Sequence, residues 1–393
     1  MTAAALPMTD SLLGTYRRAP MEFVRADGVR LYDADGKAYL DFAAGIAVNA
    51  LGYNDAGVNA AITEGIASGL IHTSNLFRTV AGEQLADKLV AASFADKVFF
   101  CNSGAEANEG AFKFARRWAR NVGGPAKHEI ISLRGAFHGR LFGTVAATDR
   151  PQYRNHFRPL AGGIHIHERS IEELSQVISA EQTAAVIAEP IQGEGGVRVL
   201  DHGFLRELRA LTAERNVLLI LDEIQCGYGR TGSFFAYEQY DIAPDLLTMA
   251  KPMAGGLPMG AVLLTQRVAE AIQPGDHGTT FGGGPLVAHV ANHVFDRLHD
   301  PALLAHVRRE GEWLGDQLLA LNARSAKVRA VRGRGLMWGV DVTDPAKDVV
   351  ARALGQGLIL VGAGDHTIRL LPPLVMTRAE LAEGLAALEA AIG

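Results

Sequence analysis

The chain has 393 residues, 48% of them hydrophobic and 21% charged, ordinary globular proportions that exclude disorder or a fibre as the main state. Its 38 Lys and Arg against 43 Asp and Glu give a net charge of −5, with no block of like charge, so neither nucleic acid nor an anionic membrane is an expected partner. Two cysteines, Cys101 and Cys226, are too few for a disulfide framework and suit a reducing, cytoplasmic setting, and neither a membrane-spanning run nor a targeting signal in residues 1–10 is read.

Asp27-Gly28 and Asp35-Gly36 are hairpin-turn signals between apolar positions, so residues 22–42 are expected to form antiparallel strands. From about residue 56 helices alternate with short apolar strands. Strands are expected at 98–100, 130–133, 185–188, 217–221, 246–250 and 261–264, with helices over 104–120 and 204–215. The strand runs are apolar throughout rather than alternating, as in strands buried on both faces of a mostly parallel sheet. Ser170-Ile171-Glu172-Glu173 opens a further helix. A long helical stretch follows residue 287, then strands at 328–331, 335–342 and 367–371. Thr377-Arg378-Ala379-Glu380 is a capping box for the last helix. The expectation is an α/β fold whose mostly parallel central sheet is flanked by helices. A large domain would cover 56–287, and a smaller α+β domain would come from both chain ends, 1–55 and 288–393.

In open α/β sheets ligands bind beyond the carboxyl ends of the strands. After the strand at 98–100 comes Cys101-Asn102-Ser103-Gly104-Ala105, a small polar turn opening a helix. Its free N–H groups and the Ser103 hydroxyl form a phosphate cradle; read structurally, the same turn is a plain N-cap. After 217–221 comes Asp222, an acid at the end of a buried strand. A nucleotide-hydrolysing site would pair it with Gly-x-x-x-x-Gly-Lys-Ser/Thr, a string the sequence lacks. After 246–250 comes Lys251, where desolvation would favour the neutral amine that Schiff-base chemistry needs. Pro252 is expected to push Lys251 towards an extended conformation; the structural alternative is a lysine that snorkels to solvent. A phosphate cradle, a buried acid and a desolvated lysine at three strand ends are the parts of a pyridoxal phosphate site.

On these residues the chain resembles the class III (ω-amino) pyridoxal phosphate aminotransferases of fold type I, from about Phe23 to the last helix. By that resemblance Ser103, Gly104 and Ala105 bind the cofactor phosphate, and Phe137 of Phe137-His138-Gly139-Arg140 stacks on its ring. Glu189-Pro190-Ile191-Gln192-Gly193-Glu194-Gly195-Gly196 matches the family's glutamate-containing active-site strand. Asp222 matches the partner of the pyridine nitrogen, Gln225 the residue beside the phenolic oxygen, and Lys251 the Schiff-base lysine. In Thr279-Thr280-Phe281-Gly282-Gly283, Thr280 matches the residue that reaches the phosphate of a neighbouring subunit, which implies a homodimer with shared sites. Arg140 and Arg369 match the two carboxylate-gripping arginines, and Glu194 would pair with Arg369 when no α-carboxylate is present. The substrates implied are N2-acetylornithine and 2-oxoglutarate. Small residues at Gly45-Ile46-Ala47-Val48-Asn49 are read as room for an acyl group. N-succinylornithine, ornithine, 4-aminobutyrate or an acylated lysine precursor are alternative donors, and an aminomutase on the same scaffold is an alternative reaction.

Other signals are set aside. His289 and His293 have a metal-ligand spacing but no third ligand, so helix packing is expected and no metal is assigned. His165 and His167 share a strand face with no carboxylate partner in view. Gly333-Arg334-Gly335 and Gly362-Ala363-Gly364 are read as turns. Cys226 is expected to be a buried filler, and Phe112, Ala115 and Ala119 the core stripe of a helix.

Overall fold

A computed structural model describes residues 11–19 and 21–393; residues 1–10, where no targeting signal was read, lie outside it. The strands Phe23–Asp27, Arg30–Asp33 and Ala38–Asp41 pair antiparallel around the two Asp-Gly turns. The fourth strand of that sheet is Leu358–Ile359, parallel to Ala38–Asp41, so the two ends of the chain share one sheet.

The central sheet has seven strands, in the order Lys97–Cys101, Gly260–Leu264, Leu246–Met249, Leu218–Asp222, Thr183–Ala188, Glu129–Leu133 and Ile164–His167. All run parallel except Gly260–Leu264, which is antiparallel to both its neighbours. The absence of polar alternation has a direct cause. Leu218, Ile220, Ala185, Ile187 and Leu246 pack into one core, against Ala111, Phe112, Ala115 and Trp118 of the helix Gly104–Gly123. Leu219, Leu221, Val186, Ala188 and Leu247 pack into a second core on the opposite face, with Leu205 and Leu208 of the helix His202–Glu214. Side chains alternate across a strand, and here both faces are covered. Truncating one of these leucines to alanine would cost about 2–5 kcal/mol.

The long helical stretch after residue 287 is two helices, Pro285–Leu298 and Pro301–Arg324. Asp300 divides them: its carboxylate accepts from the Ala302 N–H at 2.8 Å, and Pro301 takes the first helical position. A further sheet of Val328–Arg334, Met337–Val342, Thr367–Leu370 and Val361–Gly362 is antiparallel and carries Arg369 in a buried strand, opposite Gly339. Gly333 and Gly362 are strand residues here rather than turn residues, because each pairs across this sheet.

Candidate active site

The carboxyl ends of the parallel strands and the start of Gly260–Leu264 meet at one cavity of about 410 Å³. Much of its wall is made of segments that follow the strands. Asn102 to Ala105 follow Lys97–Cys101, Phe137 to Arg140 follow Glu129–Leu133, and Glu189 and Glu194 follow Thr183–Ala188. Asp222 and Gln225 end Leu218–Asp222, and Lys251 follows Leu246–Met249.

At the first wall Ser103 is the N-cap of Gly104–Gly123, its hydroxyl accepting from the Glu106 N–H at 3.3 Å. Glu106 reaches back to the Asn102 N–H at 2.7 Å. The amides of Gly104 and Ala105 belong to the first turn, where no helical carbonyl precedes them, at the positive end of a 20-residue helix. A Cβ at Gly104 would lie 2.8 Å from the Ile224 side chain, which would have to shift to admit one. Gly139, at φ +131°, brings the Phe137 turn so close that a Cβ would lie 2.7 Å from Ala105.

Asp222 is 4% exposed and held from three sides. Its Oδ2 accepts from Asn108 Nδ2 at 2.7 Å and from His138 Nδ1 at 2.8 Å, and its Oδ1 accepts from the Ile224 N–H at 3.1 Å. Asn108 Oδ1 in turn accepts from Thr248 Oγ1 at 2.7 Å. Because the acceptor is a carboxylate, the proton of the imidazole is assigned to Nδ1. Asn108, His138 and Thr248 had no role in the sequence reading, although His138 lies inside Phe137-His138-Gly139-Arg140 and Asn108 in the helix expected over 104–120. Their partners are distant in the chain, and no local spacing marks them.

Lys251 begins a short 3₁₀ turn, Lys251–Ala254, with φ +31°. The extended conformation expected from Pro252 is therefore corrected: the lysine itself takes a left-handed φ, a strained angle for a non-glycine residue. Burial lowers the amine to about 8, and the Arg369 guanidinium adds to that shift against Glu194, Asp222 and Glu189. Burial also pushes the Glu189 carboxyl up; it accepts from the Phe137 N–H at 2.9 Å and the Gly193 N–H at 3.3 Å, and so ties two site loops together.

Arg369 is 1% exposed. Its Nη2 lies 2.7 Å from Glu194 Oε1, and its Nη1 donates to Gln225 Oε1 at 3.0 Å. Arg140 stands apart from this pair, with its guanidinium 3.7 Å from the centre of the Tyr153 ring. The Tyr153 ring is edge-on to Phe137 at 6.2 Å. Within one chain the cavity thus gathers Ser103, Gly104, Ala105, Phe137, Arg140, Glu194, Asp222, Gln225 and Lys251. Thr280 is exposed and does not line it, whereas Thr279 Oγ1 accepts from Asn102 Nδ2 at 2.9 Å. Of residues 45–49 only Val48 reaches the cavity.

Other signals resolve simply. His167 Nδ1 lies 3.0 Å from Glu173 and His165 Nε2 3.6 Å from Glu129, so these histidines do have carboxylate partners, supplied by the next helix and the neighbouring strand. His289 and His293 face Glu64 and Asp55 at 3.5 and 4.0 Å. Cys226 is buried, and burial raises its thiol well above the ordinary range.

Helix-end amides for a phosphate, a buried carboxylate for a ring nitrogen, an aromatic side chain for the ring face and a lysine of lowered basicity form a donor set that fits pyridoxal phosphate. The family model described as "Aminotransferase class-III" matches residues 15–392. The acetylornithine aminotransferase of Xanthomonas campestris is 46% identical, over all of this chain and 98% of its own length. The succinylornithine transaminase of Yersinia pseudotuberculosis is 45% identical, over 96% of this chain and 93% of its own. A PLP-bound amine transaminase from an uncultivated Pseudomonas species superposes with a TM-score of 0.91 at 29% identity, covering 98% of this chain and 99% of that one.

Proposed function

The chain belongs to the class III aminotransferases, and we propose that it moves the terminal amino group of N2-acetylornithine to 2-oxoglutarate, giving N-acetylglutamate 5-semialdehyde and glutamate. Its cofactor is pyridoxal 5′-phosphate, which when bound supplies a carbonyl that takes up an amine and a protonated ring that accepts electrons from carbon. The remaining roles fall to the side chains of this chain. The first-turn amides of Gly104 and Ala105, with Ser103, hold the phosphate, and Thr280 of a second copy is assigned to the same group, which makes the working unit a homodimer. Asp222 keeps the ring nitrogen protonated, Phe137 holds the ring plane and Gln225 sits at the phenolic oxygen. Lys251 would hold the cofactor; its Nζ, once free, would take the proton from the amine-bearing carbon of the donor and deliver it to the former carbonyl carbon of the cofactor.

Two carboxylated substrates must use this cavity in turn. Arg140 grips the α-carboxylate of the donor and later the γ-carboxylate of 2-oxoglutarate, whose α-carboxylate goes to Arg369. The observation that carries this reading is the masked arginine: with Arg369 closed off by Glu194 at 2.7 Å, an ω-amine can approach Lys251 without an α-carboxylate beside it. The relatives named above support an acylated donor, and the 45% identity to a succinylornithine transaminase favours N2-succinylornithine as the second reading. We place the reaction in arginine biosynthesis in the cytoplasm, a setting that suits the two free thiols, Cys101 and Cys226.

The test is a donor panel with 2-oxoglutarate: acetylornithine, succinylornithine, ornithine and 4-aminobutyrate. The acylated donors are expected to exceed the others in kcat/KM by about tenfold or more. A preference for free ornithine would overturn the substrate while leaving the family unchanged.

A further inference from the structure

Arg140 lines two cavities. One is the cavity of Lys251 and Asp222. The other, about 260 Å³, is walled by Arg140, Phe142, Val145, Gln152, Tyr153 and Phe157. Two of its aromatic walls stand unusually open, Phe142 at 66% and Phe157 at 59% exposure. Phe142 and Phe157 line the same cavity, and exposed apolar surface that is contiguous and rimmed by polar groups is a feature of ligand grooves.

We propose that this second cavity is the subsite for the acyl group of the donor, and that it recognises a small N-acyl amide. The proposal rests on the reading that Arg140 holds the donor's carboxylate. The acylated nitrogen and the carboxylate of an N2-acylornithine share one carbon atom, so whatever grips the carboxylate has the acyl group beside it. The carbon chain must run from Arg140 towards Lys251 and occupies the first cavity. The acyl group then turns into the second. Its planar amide packs on the Tyr153 and Phe157 rings, and the Gln152 side-chain amide supplies a donor for the acyl carbonyl.

The same lining explains rejection of the unacylated amine. Among the described residues, the lining of this cavity includes no acidic side chain. The α-ammonium of free ornithine would lie near the Arg140 guanidinium with no counter-charge beyond its own carboxylate, a like-charge approach that acylation removes. The cavity exceeds what an acetyl group displaces, so a succinyl group is accommodated as well. The room for the acyl group thus lies beside Arg140 rather than at residues 45–49, of which only Val48 reaches the first cavity.

The test uses holoenzyme and two ligands that carry no transferable amine, N2-acetylnorvaline and glutarate, titrated by calorimetry into the wild type, Phe157→Ala and Gln152→Ala. Both positions are exposed, so the variants are expected to fold. N2-acetylnorvaline should weaken about fivefold or more in each variant, while glutarate, which has no acyl group, should shift less than about twofold. The kcat/KM ratio of acetylornithine to ornithine should fall in step. Equal weakening of both ligands, or no weakening of either, overturns the subsite. If the wild type prefers acetylornithine and the variants discriminate as well as it does, the subsite is wrong and the substrate reading stands. If the wild type prefers free ornithine, both fall together.

Discussion

Glu194 Oε1 and Arg369 Nη2 lie 2.7 Å apart, with the arginine side chain only 2% exposed. Taking a guanidinium out of water costs several kcal/mol unless acceptors face it, and here Glu194 supplies a carboxylate. Whatever enters beside Lys251 must therefore leave this pair closed or replace Glu194 with a carboxylate of its own.

Glu194→Gln keeps a hydrogen-bonding side chain and removes the competing charge. The glutamate half-reaction should gain relative to the ω-amine half-reaction, by about tenfold in the ratio of their kcat/KM values. Single-turnover absorbance measurements with each donor read the ratio. An unchanged ratio would show that the pair does not gate the site.

Asp222 depends on groups that never touch a substrate. Asn108→Leu removes its 2.7 Å donor and also the acceptor of Thr248. Asp222 keeps His138 and the Ile224 N–H but loses a hydrogen bond to a charged group, worth about 1.5–3 kcal/mol, so cofactor binding should weaken by about tenfold or more. Thr248→Val, which breaks only the outer link, should have a smaller effect. Fluorescence titration of the apoprotein with cofactor checks both. Combined with His138→Gln, Asn108→Leu should be non-additive, because both act through the same Asp222 oxygen.

The Lys251 amine, lowered to about 8, is mostly protonated at neutral pH and mostly neutral above that value. Only the neutral amine attacks a carbonyl, so capture of cofactor by the apoprotein should quicken as pH rises through about 8 and then level off. Since the Arg369 charge contributes to the lowering, Arg369→Met should move the inflection upward. Stopped-flow absorbance across the pH range measures both. A profile that still rises towards the ordinary lysine value would refute the desolvated amine.

Glu223 is buried beside Asp222 and accepts from the N–H groups of Ala236 and Tyr237 at 2.6 and 2.7 Å. Burial raises its carboxyl from 4.5 to about 8. Between those values the folded chain keeps a proton that the unfolded chain has lost, so this residue's contribution to stability falls as pH rises. Glu223→Gln does not titrate. Its Tm should decline less than that of the wild type from about pH 5 to about pH 8. Parallel declines would show that Glu223 does not titrate in that window.

The strand ends were readable because their chemistry is local. Ser103, Asp222 and Lys251 each stand directly after an apolar run, and the rule that ligands gather beyond the carboxyl ends of such strands brought them into one site without coordinates. Asn108, His138 and Thr248 follow no such rule, since they meet only where the Gly104–Gly123 helix and the Phe137 turn pack over the sheet. The separations from Asn108 to Asp222 and to Thr248 are 114 and 140 residues. The Asp300 break was legible as Asp-Pro but was passed over within a continuous helical pattern. The angle at Lys251 was misread because the local preference imposed by Pro252 yields to the turn that aims the amine into the cavity.

Hydrophobic period, turn residues and strand-end chemistry act between neighbours in the chain, so the amino-acid sequence alone determined the α/β class, the order of the elements and the strand-end positions of Lys251, Asp222 and the Ser103 turn that the fold gathers at one cavity. The pairing of Glu194 with Arg369 was expected from the family resemblance, but its 2.7 Å closure, the clasp around Asp222 and the second cavity beside Arg140 depend on the tertiary structure. Each joins side chains from strands and loops whose adjacency depends on the folded sheet order, and an electrostatic or packing contact exists only once that order has set the distance.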